Sequence, residues 1–160
     1  MTESKYFEFL EKYHIEGNIG INEKEIIEIE EKFKLKLPRF YKDFLKLFGC
    51  KTGNILTGYY MTYPSLIKNR DDAIYELNFD DRSHNKIGIK DSYFFFAQWQ
   101  GYNFYFFDCH MKNNNKKIYL FDGIEIKEAY KDFKEFIKKN IKKNEIRNSL
   151  NDIKYNVLFT

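Results

Sequence analysis

The sequence predicts an α+β fold: N-terminal helices, a central and mostly antiparallel sheet of about five to six strands, and a closing C-terminal helix. Three observations carry this. The first fifty residues repeat apolar side chains at helical spacing. The stretch from Tyr93 to Lys127 is aromatic, short-phased and broken by hairpin turns. From Tyr130 the helical spacing returns. Helices, then a run of strands, then a helix is an α+β layout and not an alternating βαβ one. With 160 residues, the chain reads as one domain over 1–160, since domains typically run about 100–200 residues. Folding at that size buries ~70% of the unfolded surface without a disulfide or metal staple.

Each element has a local cause. Ser4 to His14 carries Tyr6, Phe7, Leu10 and Tyr13 at helical spacing, with Ser4 as a cap and Gly17 and Gly20 beyond it. Asn22 followed by Glu25 resembles a capping box and opens a helix from Glu23 to about Phe33, with Ile26, Ile29 and Phe33 as its stripe. Pro38 reads as the first turn of a third helix, because it has no N–H to leave unpaired and its φ is preset. Tyr41, Phe44, Leu45 and Phe48 form the buried stripe there, and Gly49 stands where a C′ glycine ends a helix.

After Cys50 the texture changes. Gly53, Gly58 and Pro64 punctuate short runs, among them Tyr59-Tyr60-Met61. Ser65 to Leu77 predicts a short helix with Leu66, Ile67, Ile74 and Leu77 inward. Asp80 to Asn85 is a polar loop, and Ile87 to Ile89 begins the strands. Tyr93 to Trp99 pairs with Tyr102 to Cys109 across Gln100-Gly101. Asn113 to Asn115 is a loop, Lys117 to Phe121 a strand, and Asp122-Gly123 a hairpin turn leading into Ile124 to Lys127. Tyr130, Phe133, Phe136, Ile137 and Ile141 line the closing helix, whose outer face carries Lys131, Lys134, Lys138, Lys139, Lys142 and Lys143. That helix can continue through Ile146 and Leu150, and Tyr155 to Phe159 is an apolar tail.

Composition narrows the function classes. A hydrophobic share of 43% excludes a wholly disordered chain, and 32% charged residues exclude an integral membrane protein. The net charge of +3 and pI of 8.6 fall short of the pI above about 9 common in nucleic-acid domains. No apolar run approaches the ~20 residues of a membrane helix, and Met1 to Lys5 has no signal-peptide core. Cys50 and Cys109 are too few for a disulfide framework. The reading is a cytoplasmic protein with reduced thiols.

No catalytic constellation stands out in the sequence. Cys109 and His110 are neighbours, and neighbours on a strand face opposite ways, so they do not readily form a nucleophile–base pair. Both thiols read as small buried side chains. His14, His84 and His110 lack ligand spacing, and no glycine-rich phosphate loop is present. No cofactor and no metal are expected.

The run Ile26-x-x-Ile29-Glu30, then Leu37-Pro38-x-x-Tyr41-x-x-Phe44-Leu45, then Gly49, resembles the N-terminal signature of the SUKH superfamily. Phe94 to Asp108, with Gly101 at the turn, is similar to that family's central hairpin. Tyr130-x-x-Phe133-x-x-Phe136-Ile137 resembles its closing helix, with Asp132 where a Ser is usual. The resemblance covers about Ile21 to Ile141, and 144–160 is a C-terminal extension. Phe48-Gly49-Cys50 departs from the family's Asn-Gly-Gly.

This resemblance implies a non-enzymatic immunity protein of the bacterial polymorphic-toxin or contact-dependent-inhibition type. It binds a cognate protein toxin domain in the producing cell and occludes it. Such protection needs a nanomolar Kd, about −12 kcal/mol, usually concentrated in a few aromatic or Arg anchors. Candidate anchors are Trp99 with Gln100 beside the Gly101 turn, the acidic stretch Asp71, Asp72, Glu76, Asp80 and Asp81, and Tyr59 with Tyr60. Sheet packing accounts for Trp99 and the two tyrosines as well, and a solvated helix face accounts for the acids. Glu30, Leu37, Pro38, Tyr41, Phe44, Leu45, Gly49, Gly101, Asp108, Phe133 and Phe136 are read as structural. Two other classes stay open: an intracellular adaptor, as in the family's fungal regulators, and a single-stranded RNA binder that stacks bases on Tyr102 to Phe107. A monomer and a homodimer fit equally.

Overall fold

The computed structural model describes residues 5–79, 87–112 and 117–141. The Ser4 cap, the 80–85 and 113–115 loops, the continuation through Ile146 and the 144–160 extension lie outside the described residues.

Helix α1 (Glu23–Phe33) begins at Asn22, whose Oδ1 accepts the Glu25 N–H at 2.9 Å. That bond satisfies one of the helix's orphan donors. Ile26 and Ile29 are fully buried. The helix ends on Lys34 at φ 53°, a left-handed cap made without glycine. Helix α2 (Arg39–Phe48) follows Pro38, which serves as the N-cap at φ −65° and ψ 151°, one position earlier than expected. Gly49 differs more. It is right-handed, at φ −63°, so it is not needed for a positive φ. It is needed for space: a β-carbon would lie 2.5 Å from the Leu45 carbonyl oxygen and 2.8 Å from Ile21 Cγ1.

The N-terminal segment is a 3-10 helix, Lys5–Lys12, rather than an α-helix. Its buried residues, Phe7 and Leu10, stand three apart, and positions i and i+3 eclipse in that geometry. Strands β1 (Asn18–Ile19) and β2 (Lys51–Thr52) form a small antiparallel pair.

The main sheet has five strands in sequential antiparallel order: β3 (Tyr59–Tyr60), β4 (Tyr93–Trp99), β5 (Asn103–Asp108), β6 (Ile118–Phe121) and β7 (Ile126–Tyr130). The β4–β5 turn holds Gln100 and Gly101 at φ 55° and 77°. Two consecutive positive φ values match the twist that tight hairpins need. Residues 87–89 are irregular and not a strand. Tyr130 ends β7 and is not on the closing helix, although its ring still enters the same core.

A bulge at Phe96 breaks the alternation of β4, so that Phe94, Phe96 and Ala97 all enter one core. This face carries α1, α2 and helix α4, which spans 133–141. Phe95, Phe104, Phe106 and Phe121 enter the other face with Ala73. That face is covered by helix α3 (Asn69–Asn78), which follows a 3-10 turn, Ser65–Lys68, where one continuous helix was expected. Helix α4 is capped by Asp132, whose Oδ1 accepts the Glu135 N–H at 2.8 Å, while Glu135 accepts the Lys131 N–H at 2.7 Å.

Candidate protein-interaction site

The family-motif residues assemble into a frame. Glu30 is buried, and its Oε1 accepts the Leu37 N–H at 2.9 Å. Lys42 lies 3.0 Å from the same carboxylate and Lys36 3.7 Å away. Burial works against the charged form, yet the Leu37 N–H and the Lys42 and Lys36 ammonium groups outweigh it and hold the carboxyl below its ordinary value. Glu30 thereby fixes the α1–α2 link. Tyr41 of α2 packs 5.3 Å from Phe94 and Phe107 of the sheet and 5.8 Å from Phe133 of α4. Phe44 lies 5.0 Å from Phe133, and Phe136 lies 5.1 Å from Phe96. Edge-on pairs at such distances add specific geometry to the buried area. Asp108 Oδ1 accepts the His110 N–H at 3.0 Å and shapes the end of β5.

The candidate contact residues divide into groups. Tyr59 pairs in register with Trp99, and Tyr60 with Gln98. The Trp99 ring is half-buried and lies against Gly58, where a β-carbon would approach Cζ3 to 2.5 Å. It also lies 4.9 Å from the Tyr59 ring. Tyr59 donates to Asn140 Oδ1 of α4 at 2.5 Å. Trp99 and Tyr59 thus stand on the α4 side. Gln100 is at the hairpin tip, where its Oε1 accepts the Tyr102 hydroxyl at 2.5 Å.

Tyr60 stands on the opposite face and is 58% exposed. It shares that face with Asp72, whose Oδ2 accepts from Gln98 Nε2 at 2.8 Å. The same nitrogen donates to Asn69 Oδ1 at 2.9 Å, and Asn69 donates to the Tyr60 carbonyl at 2.9 Å. Asn69 is fully buried, and buried amides require such partners. The remaining acids diverge. Asp71 borders a cleft of about 500 Å³ floored by Phe33, Leu35 and Ile67 and rimmed by Lys32, Lys34 and His110. Glu76 turns to the β6–β7 turn, where its Cγ lies 3.2 Å from the position of a Gly123 β-carbon. Asp80 and Asp81 lie outside the described residues.

Other sequence expectations are corrected. Cys50 is exposed rather than buried. Cys109 and His110 lie in the turn after β5, the thiol against the main core and the imidazole on the cleft rim. Among the described residues, no three His, Cys, Asp or Glu side chains are placed to hold a metal ion. Within the aromatic run Phe104, Phe106 and Phe107 are buried, on both faces of the sheet, Tyr105 is half-buried, and Tyr102 alone is exposed. Two lysines of α4 are engaged over one ring, Lys134 at 5.4 Å and Lys138 at 5.2 Å from the centre of Phe9, and Lys139 pairs with Glu135 at 3.0 Å.

Sequence reasoning missed three contributors. Gln98 is a polar residue inside an apolar run and Asn69 stands in a charged one, and no local signal says that they will meet. Tyr75 is 67% exposed on α3, although its position between Ile74 and Leu77 suggests an apolar stripe. No helix among the described residues is long and apolar enough to cross a membrane.

Comparison with known proteins places this arrangement. No curated protein matches the chain. A family model does match, over residues 20–139, and takes in Glu30, the Leu37-Pro38 link, the β4–β5 hairpin and α4 through Phe136. The chain belongs to the SMI1 / KNR4 family (SUKH-1).

Proposed function

We propose that the protein is an immunity protein that binds a cognate toxin domain and neutralises it stoichiometrically, by occlusion and without chemistry. Membership of the SUKH-1 family carries this reading. The surface supports it. Tyr60 and Tyr75 are the most exposed large apolar side chains among the described residues, and aromatic rings are enriched among the anchors of protein interfaces. The acids of α3 add a field that speeds encounter with a basic partner. Trp99 and Gln100 form a second candidate contact at the hairpin, with Tyr59 behind them. Asp71 and Glu76 flank the α3 contact.

The test is growth rescue. The C-terminal domain encoded immediately upstream is expressed with and without this protein. The reading predicts rescue and a one-to-one complex on co-purification. A toxic domain that is neither rescued nor bound contradicts it. The regulatory-adaptor reading, in which the protein binds a host protein and rescues nothing, then takes its place.

A further inference from the structure

We infer that the partner docks on the outer face of α3 and the adjoining sheet edge, and that it presents an arginine to Asp72 between Tyr60 and Tyr75. This rests on the immunity reading and assigns its contact surface.

The argument begins with the helix. Ala73 of α3 is fully buried against the sheet, while Tyr75 is 67% exposed. Tyr75 follows Asp72 by three positions and Asp71 by four, so both acids are its neighbours on the helix surface. The one cation of the helix does not offset them. Arg70 is turned inward and donates to the carbonyls of Lys90 at 3.1 Å and Tyr93 at 3.2 Å. Among the described residues, no lysine or arginine pairs with Asp71 or Asp72. Around Asp72 the face is therefore negative and aromatic, while Asp71 also borders the cleft rimmed by Lys32 and Lys34.

Asp72 differs from an ordinary surface acid because it is held. Gln98 grips it at 2.8 Å, and Gln98 is gripped by the fully buried Asn69 at 2.9 Å. Asn69 also donates to the Tyr60 carbonyl at 2.9 Å and the Phe95 carbonyl at 3.4 Å. A carboxylate held by one buried amide that a second buried amide anchors in turn loses little freedom on binding, and that pre-organisation favours affinity. Tyr60, the register partner of Gln98, sets its ring on the same face of the sheet. A fixed carboxylate flanked by two tyrosines suits a guanidinium, which forms paired hydrogen bonds to a carboxylate and stacks on rings. Lysine makes a weaker match on both counts.

The experiment uses the full chain in the cell that encodes it. p-Benzoylphenylalanine is placed at Tyr60, at Tyr75, or at Ile27, which is exposed on α1. The protein crosslinked after illumination is identified, purified and titrated. The inference predicts that positions 60 and 75 capture the same protein and that position 27 does not. It predicts that Asp72→Asn and Tyr75→Ala each raise Kd by about 30-fold or more, with unchanged circular dichroism. The wild-type complex should weaken with salt more steeply than the Asp72→Asn complex. Capture at position 27 alone, or a Kd unmoved by both variants, overturns the inference and leaves the immunity reading standing. Capture at none of the three positions overturns the inference, and a toxic upstream-encoded domain that is neither rescued nor bound overturns both.

Discussion

Replacing Glu30 tests the frame on which the candidate surface stands. In Glu30→Ala the Leu37 N–H loses its acceptor at 2.9 Å inside the protein, and an orphaned buried donor costs about 1–3 kcal/mol. Lys42 loses its partner at 3.0 Å, but its side chain is 29% exposed and rehydrates, so this adds only ~0.5–1 kcal/mol. Lys36 is almost fully exposed and adds nothing measurable. The expected loss is about 1.5–4 kcal/mol, read in urea as a midpoint lower by ~0.8–2 M at constant slope, for a slope near 2 kcal/mol/M. Glu30→Gln keeps an acceptor for Leu37 and removes only the charge, so it should cost ~1.5 kcal/mol or less. The pH dependence follows from the direction of the shift. The folded carboxyl sits below its ordinary 4.5, so its contribution is complete above that value and disappears as pH falls through the folded one. The gap between wild type and Glu30→Gln should close below pH 4.5. An Ala variant that loses under ~1 kcal/mol, or a Gln variant as damaged as Ala, refutes the assigned hydrogen bond.

Three further outcomes are expected. Tyr41 carries a fully buried hydroxyl with no hydrogen-bond partner among the described residues, so Tyr41→Phe should leave the urea midpoint unchanged or raise stability by up to ~1 kcal/mol, and a clear loss would expose a missed partner. A β-carbon at Gly20 would lie 1.7 Å from the Lys46 carbonyl oxygen, so Gly20→Ala should destabilise by ~1–3 kcal/mol or more in the same assay. Single-stranded RNA should show no salt-sensitive binding in an anisotropy titration, because the three phenylalanine rings of β5 are buried; steep salt-dependent binding would revive the RNA reading.

Much of the frame was legible because its causes are local. Asn22 announces α1, Pro38 announces α2, and the aromatic runs on either side of Gln100-Gly101 are β4 and β5. What escaped was set by tertiary contact. Gly49 looks like a left-handed stop, but it is small because Ile21 and the Leu45 carbonyl crowd it. Tyr130 continues the spacing of Phe133 and Phe136 and so reads as helix, although it enters the core from β7. The two-residue β3 is too short for any periodicity. At the candidate site the residue types were visible, yet their grouping was not. Asp72 and Gln98 stand 26 positions apart, and no local pattern joins them or separates Asp71 from Asp72. Tyr75 was hidden for the opposite reason, since a tyrosine among apolar neighbours reads as core.

Titration of toxin activity bears most directly on the central claim. The purified upstream-encoded toxin domain, at a concentration well above Kd, is mixed with rising amounts of this protein, and residual activity is followed. Neutralisation by occlusion predicts a linear fall that reaches zero at one molar equivalent. Activity abolished by a small fraction of an equivalent would show catalytic inactivation, and activity untouched by an excess would show that this toxin is not the target; either result contradicts the account.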